Sequence, residues 1–130
     1  MLDIENLNIW YGGIHAVKGI DMNIEQGEIV TLIGANGAGK SSTIRAIAGL
    51  VRGYKGTISY TNPGGKTLTL NGLQPENMVG MGIALSPEGR RILPQLTVRE
   101  NLLLGAYTRN DKEGIEGDIE YVYGLFPRLK

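Results

Sequence analysis

The sequence predicts an α/β fold: a mixed sheet flanked by helices, with an antiparallel β subdomain toward its N-terminal end. Three observations predict it. Apolar residues alternate through residues 2 to 10 (Leu2, Ile4, then Leu7, Ile9); residues 29 to 33, "IVTLI", form an apolar run that enters a glycine-rich joint; beyond the joint the apolar spacing becomes helical. Period-two alternation marks a half-buried strand, a short continuous run marks a strand covered on both faces, and recurrence at three and four residues marks a helix.

The totals are those of an ordinary folded chain. With 130 residues, 42% apolar and 20% charged, there is enough apolar surface for one domain and no sign of disorder. Lys plus Arg and Asp plus Glu both number 13, so no net field draws the chain to nucleic acid or to an anionic membrane. The absence of cysteine excludes disulfides, thiol nucleophiles and Cys-based metal sites, and fits a reducing compartment. The N-terminus "MLDIENLNIWY" lacks the basic-then-apolar order of a signal peptide, and no apolar run approaches the ~18 residues of a membrane span. A soluble, cytoplasmic chain is expected.

Taken in order, residues 2 to 10 should form a strand that "YGGIHAVKG" interrupts; "IDMNIE" should form a second, with "QGE" turning into "IVTLI" to make an antiparallel hairpin. The run from 29 to 33 should lie deep, as a central strand. Ile44, Ile47, Ala48 and Val51 then predict a helix from 41 to about 50 with one apolar stripe. "TISYT" and "TLTL", joined through "NPGG", predict a small hairpin. "QPENMVG" predicts a short helix with Pro75 near its first position, "IALS" a short buried strand, and "PEGRRILPQL" a loop bracketed by Pro87 and Pro94. Thr97 followed by Glu100 is a capping box opening a helix over "TVRENLLLGAY". The closing helix, "EGIEGDIEYVYGLF", should be weaker, since Gly114, Gly117 and Gly124 each cost roughly 1 kcal/mol against alanine.

The joint itself, "GANGAGKS" from Gly34 to Ser41, satisfies G-x-x-x-x-G-K-[ST], the phosphate-binding loop. At this composition the pattern arises by chance in roughly one chain in a hundred, before a strand ahead and a helix behind are required. Each residue type has a reason. A polyphosphate must be approached by main-chain N–H groups from several sides, which requires backbone without Cβ and with positive φ available, as Gly34, Gly37 and Gly39 provide. Asn36 and Ala38 complete the cradle. The first turn of the following helix aims further N–H groups, and its dipole, at the same spot. Lys40 adds a mobile full charge, Ser41 a hard oxygen suited to Mg²⁺, and Ser42 a contact to an α-phosphate. The ligand class is a nucleoside triphosphate with Mg²⁺, and the fold class a P-loop NTPase-like mixed sheet.

The phosphate loop does not choose among kinases, GTPases and ATPases; the flanking text does. The chain from Leu2 to Lys130 resembles the N-terminal part of an ATP-binding cassette (ABC) transporter ATPase, most of all the ATPase subunits of bacterial branched-chain amino-acid importers. The resemblance is carried by "NLNIWYGGIHAVKGIDMNIEQGEIVTLIGANGAGKSSTIRAIAGL", "GIALSPEGRRILPQLTVRENLLLGAY" and "YVYGLFPRLK". It implies that residues 1–130 are a partial nucleotide-binding domain holding the Walker A and Q-loop portion. It also implies ATP and Mg²⁺ as ligands, membrane-spanning permease subunits and a second ATPase subunit as partners, and a place on the inner face of the cell membrane. Tyr11 matches the family's adenine-stacking aromatic, where a flat ring supplies affinity to any base; the competing reading is a strand-end tyrosine in ordinary packing. Val17 is similarly placed to pack beside the base. Trp10 reads as strand packing and His15 as a solvated loop residue. Glu88, in "SPEGRR", stands where the family's Q-loop places glutamine, near the metal and γ-phosphate; a carboxylate there accepts hydrogen bonds but cannot donate as an amide does. The alternative is a surface acid. Arg90 and Arg91 fit either a membrane partner or a solvated loop.

The family's serine-glycine signature motif, its apolar strand ending in Asp-Glu and its switch histidine have no counterpart in these residues. The resemblance therefore implies a fold truncated before the signature motif and the Walker B strand, gripping nucleotide without the catalytic base. It further implies an uncovered central strand at 29 to 33, and self-association through it. Two other readings compete. A small-molecule kinase or GTPase would leave Tyr11 and the loop from Pro87 to Pro94 unexplained, and no Asn/Thr-Lys-x-Asp guanine motif is present. A nucleotide-binding fragment without turnover is the non-catalytic alternative.

Overall fold

The computed structural model describes residues 1–89 and 91–130, which form two compact units, Met1–Leu85 and Ser86–Lys130. In the first unit, β1 (Leu2–Tyr11), β2 (Ile14–Ile24), β3 (Lys55–Thr61) and β4 (Thr67–Thr69) make a four-stranded sheet in the order β2-β1-β3-β4, antiparallel throughout. Two helices of this unit, α1 (Lys40–Ile47) and α2 (Pro75–Gly80), supply Ala46 and Met78 to a core with Ile4, Leu7 and Ile9 of β1, Val17 of β2, Ile58 of β3 and Leu70. Each large aliphatic side chain buried there contributes about 1.5 to 3 kcal/mol. Pro75 stands in the first turn of α2, where its missing N–H costs nothing.

The N-terminal hairpin is not the predicted one. The chain reverses at Gly12 and Gly13, Gly12 taking φ 58°, so that β1 pairs with β2 from Leu2↔Ile24 to Tyr11↔Ile14. "IHAVKG" continues a strand where an interruption was expected, because a two-residue turn needs only its own two residues to leave the ladder. The turn at "QGE" exists, with the Glu28 N–H donating to the Glu25 carbonyl at 3.2 Å, but it leads into residues 29–33 without regular structure.

That segment corrects a further expectation. Residues 29–33 are not a strand and do not lie deep: Ile29 is 94% and Ile33 91% exposed. A doubly covered strand requires hydrogen-bonding neighbours and apolar cover on both faces. The described strands pair only with one another. Residues 83–86, expected as a buried strand, are likewise irregular. The stripe on α1 is also rotated. The helix ends at Ile47, with Thr43 and Ala46 buried, Ile44 exposed, and Ile47 and Val51 only partly buried against the core.

The second predicted hairpin is present as β3 and β4, paired from Ser59↔Thr69 to Thr61↔Thr67. Past the end of β4 the Asn71 side chain continues the ladder, accepting from the Ile58 N–H at 2.9 Å and donating to the Gly56 carbonyl at 2.8 Å.

The second unit holds α3 (Val98–Gly105) and α4 (Lys112–Leu125). The capping box forms as expected: the Thr97 hydroxyl accepts from the Glu100 N–H at 3.2 Å, and the Glu100 carboxylate accepts from the Thr97 N–H at 2.7 Å. Arg99 of α3 pairs with Glu116 of α4, and Arg109 in the connection with Asp111 and Asp118. These pairs are exposed and contribute little each. Thr97→Ala should lower the stability of this unit by about 1 kcal/mol, read as a lower urea midpoint of its helical signal. The Thr97 backbone N–H and hydroxyl hold the Glu100 carboxyl below its usual range. Its contribution is therefore complete above the unfolded-state value near ~4.3 and is lost as pH falls through the lower folded-state value. An acid titration of Thr97→Ala should accordingly show a shallower loss than the parent; identical profiles would remove the capping role.

Candidate functional site

Between residue 33 and α1 the chain folds over itself as a small cradle. Gly37 and Gly39 take φ 85° and 88°, which side-chain-bearing residues rarely adopt. The Ala38 N–H turns back to the Ala35 carbonyl at 3.1 Å. A Cβ on Gly34 would sit 3.1 Å from the Ala38 Cβ, so the two ends of the loop nearly meet. At Gly39 the demand is stricter: a Cβ there would lie 2.6 Å from the Ala16 carbonyl oxygen and 2.7 Å from Val17 Cγ2. The loop is thus pressed against β2 at a point where only glycine fits.

Lys40 is the first residue of α1 and reaches back over this loop. Its ammonium donates to the carbonyls of Gly34 at 2.7 Å and Ala35 at 2.8 Å. The positive charge therefore stands over the loop, held by neutral acceptors that do not cancel it. Behind it the N-cap is Gly39, which has no side chain to cap the helix, so the first-turn N–H groups at Lys40, Ser41 and Ser42 present a positive helix end in the same region. Such an arrangement binds an anion with several oxygens. Ser41 and Ser42 are half-buried, while Asn36, Gly37 and Ala38 are exposed.

Thr43 was not singled out by the sequence, yet it supports the cradle. It is buried, and its hydroxyl and its N–H both donate to the Gly39 carbonyl, at 3.1 and 2.9 Å. A threonine four residues after the last loop glycine is the signal that could have shown it. Ala16 was also missed, because its role is a backbone contact. Beside Lys40 a cleft of about 170 Å³ opens among Val17, Ile20, Leu32, Ile33, Ala38 and Thr43.

The remaining expected residues are placed as follows. Tyr11 ends β1 and is 45% exposed, available to a flat ligand. Val17 is 3% exposed, so it is a core residue and a wall of the cleft rather than an open surface for a base. His15 departs from its predicted role, while Trp10 packs within the sheet as expected of a strand residue. Trp10, 37% exposed, packs across the strands on His15, which is a strand residue rather than a loop one; their ring centres are 4.3 Å apart and the His15 Nε2 is 3.0 Å from Asn8 Oδ1. Glu88 lies exposed at a bend of the second unit, its carbonyl accepting from Arg91 Nε at 3.3 Å. Arg90 lies outside the described residues. The loop after Glu88 is fastened by Asn101, another residue the sequence did not indicate: its Oδ1 accepts from the Leu93 N–H at 2.9 Å and its Nδ2 donates to the carbonyls of Leu93, Leu96 and Thr97.

Among the described residues no group of three His, Asp or Glu side chains could hold a metal ion by itself. Mg²⁺ nonetheless fits the donor set, because it keeps most of its waters and needs few protein oxygens once phosphates supply the rest. Ser41, beside the cradle, is the residue that would hold it; bound, the ion would neutralise charge on the phosphates. No helix of the described residues is long and apolar enough to cross a membrane.

Comparison with known proteins gives the same assignment. The chain is 40% identical, over all 130 residues, to the high-affinity branched-chain amino acid transport ATP-binding protein BraG of Pseudomonas aeruginosa. It is 34% identical over 106 residues, 82% of the chain, to the ribose import ATP-binding protein RbsA of Yersinia pestis. It spans 53% of the length of BraG and 20% of that of RbsA. A bacterial ABC transporter cassette solved as a dimer superposes with a TM-score of 0.74 at 24% identity, covering 92% of this chain and 55% of that one. The fold is that of ABC ATPase cassettes. Residues 17 to 124 match the ABC transporter family along most of the chain, and with the glycine cradle under Lys40 they establish that the protein belongs to that family.

Proposed function

We propose that the chain is the ATP-binding part of the ATPase subunit that energises an ABC importer of branched-chain amino acids. The observation that carries this reading is the Lys40 ammonium held over a loop whose Gly39 admits no Cβ. The amides and Lys40 take the β- and γ-phosphates, Ser41 serves Mg²⁺, Ser42 reaches the α-phosphate and Tyr11 stacks on the base. The amino-acid substrate is supported by the match to BraG over the whole chain, against the 82% matched by the ribose relative. Glu88 is assigned to the Q-loop position on the sequence resemblance, as a carboxylate that accepts hydrogen bonds. The permease subunits, the second ATPase subunit and the inner membrane face follow from the same reading.

Turnover tests it. The 130-residue chain should bind Mg-ATP and hydrolyse none above background, since it contains no apolar strand ending in Asp-Glu. A longer chain that continues through such a strand should hydrolyse ATP; its failure would exclude the ATPase assignment. Residues 29–33 support a second consequence. With Ile29 and Ile33 almost fully exposed in an apolar segment, the chain should self-associate. Light scattering at high concentration should show species larger than a monomer, and a clean monomer would refute this.

A further inference from the structure

The buried face of β1 breaks strand alternation. Ile4, Leu7 and Ile9 are all in the core, yet Ile4 and Leu7 are an odd number of residues apart. An extra residue lies between them: Ile4 pairs with Met22 and Leu7 with Ile20, and on the other side Glu5 pairs with Thr57 and Asn8 with Lys55. This is a β-bulge, which reverses the faces of every residue that follows. At its centre Asn6 has φ 48°, alone among the described non-glycine residues in taking a positive value.

The bulge is held from three sides. On β3, a Cβ at Gly56 would lie 2.3 Å from the Asn6 carbonyl oxygen; on β2, one at Gly19 would lie 3.0 Å from Asn6 Oδ1. The Asn6 N–H donates to Asp21 Oδ1 at 2.7 Å. Asn8 Nδ2 donates to the Asn6 carbonyl at 2.8 Å and to Asn6 Oδ1 at 2.9 Å, which turns Asn8 Oδ1 toward His15. His15 in turn stacks on Trp10, and the Lys55 ammonium stands 5.5 Å from the centre of the Trp10 ring.

We propose that this bulge is a register device that selects Tyr11 over Trp10 as the aromatic offered to the nucleotide base. Without the extra residue, Ile4 would share its face with Asn6, Asn8 and Trp10. With it, Ile4 shares its face with Leu7, Ile9 and Tyr11; the two later register shifts, between Leu7 and Asn8 and between Ile9 and Trp10, place their extra residue on β2 and leave the alternation of β1 itself unbroken. Ile9 pairs with Val17, and Val17 with its neighbour Ala16 is what meets Gly39 of the phosphate loop. The shift therefore places Tyr11 on the side of the sheet that carries the loop and Trp10 on the opposite side, where His15 and Lys55 hold it. The ligand class is a planar heteroaromatic base joined to a polyphosphate, and Asn6 is a positioning residue for it. The inference rests on the proposed stacking role of Tyr11.

The test uses the single tryptophan of the chain as its reporter. In the parent, ATP should leave Trp10 emission unchanged. In the exchange variant Trp10→Tyr with Tyr11→Trp, ATP should quench the emission and inorganic triphosphate should not. Asn6→Val, whose β-branched side chain resists positive φ, should lower ATP affinity about tenfold while triphosphate affinity stays within about twofold; Asn6→Gly should restore ATP binding. Quenching of the parent's Trp10 by ATP overturns the proposal even if Asn6→Val fails to fold. Equal loss of ATP and triphosphate in Asn6→Val, without rescue by Asn6→Gly, reduces the bulge to a structural role and overturns it as well. The stacking reading fails separately: Tyr11→Ala should weaken ATP about tenfold and triphosphate little, and equal losses would remove Tyr11 from the base site.

Discussion

Replacing Lys40 with alanine should lower the affinity for Mg-ATP by about a hundredfold, the largest loss expected of any single substitution in the site. The ammonium stands over the loop on two carbonyls, at 2.7 and 2.8 Å, with no carboxylate accepting from it among the described residues. A unit charge pair at ~4 Å is worth ~4 kcal/mol at an effective dielectric of 20, and the exposure of the loop screens part of it, leaving about 2 to 4 kcal/mol. The helix end contributes only about 0.3 to 1 kcal/mol to the same anion and cannot compensate. Because the interaction is with the polyphosphate, inorganic triphosphate should weaken as much as ATP does. Lys40→Arg should fall between, keeping the charge but spreading it over a planar fork that suits the two carbonyls less well. Calorimetry decides: equal affinity in parent and Lys40→Ala would mean that the cradle holds something else.

Gly56→Ala should be the most damaging substitution for the fold, at about 3 kcal/mol. Gly56 has φ 97°, and a Cβ there would lie 2.3 Å from the Asn6 carbonyl oxygen and 2.5 Å from that of Glu5, both of them backbone atoms. Positive φ costs an alanine about 1 to 2 kcal/mol and overpacking a further 1 to 3. That is a large share of the 5 to 15 kcal/mol that holds a typical domain. Gly53→Ala supplies the control. Its φ is 76° but a Cβ there would meet nothing within 4 Å, so it should lose only the conformational part. The two variants should differ by about 2 kcal/mol in urea unfolding followed through the sheet. Equal losses would show that the contact with β1 relaxes freely.

Some of the molecule was legible because its signals are local. The capping box needs only Thr97 and Glu100, the helix start needs Pro75, and the small hairpin needs two short runs about "NPGG". The cradle belongs to the same class, since glycines, lysine and serine at fixed spacing meet within one turn of chain. Misread features depend on residues distant in sequence. The β1–β2 hairpin competed with a plausible turn at "QGE", and only pairing across the sheet chose between them. "IVTLI" has the composition of a buried strand, but composition cannot supply neighbours, and it lies exposed.

The chemistry of the site is written in local residue order: which residues form the loop, that Lys40 supplies its charge, and that a helix begins where the loop ends. Tertiary structure alone decided what the loop rests on and which side chains face it. The Ala16 carbonyl beneath Gly39, the burial of Val17, the stacking of His15 on Trp10 and the bulge at Asn6 opposite Gly56 are contacts between separate strands or between strand and loop. The physical reason is parity. A strand's faces alternate with a period of two, so one inserted residue reverses every assignment beyond it, and whether the insertion is accepted depends on a glycine in a neighbouring strand that the local pattern does not include.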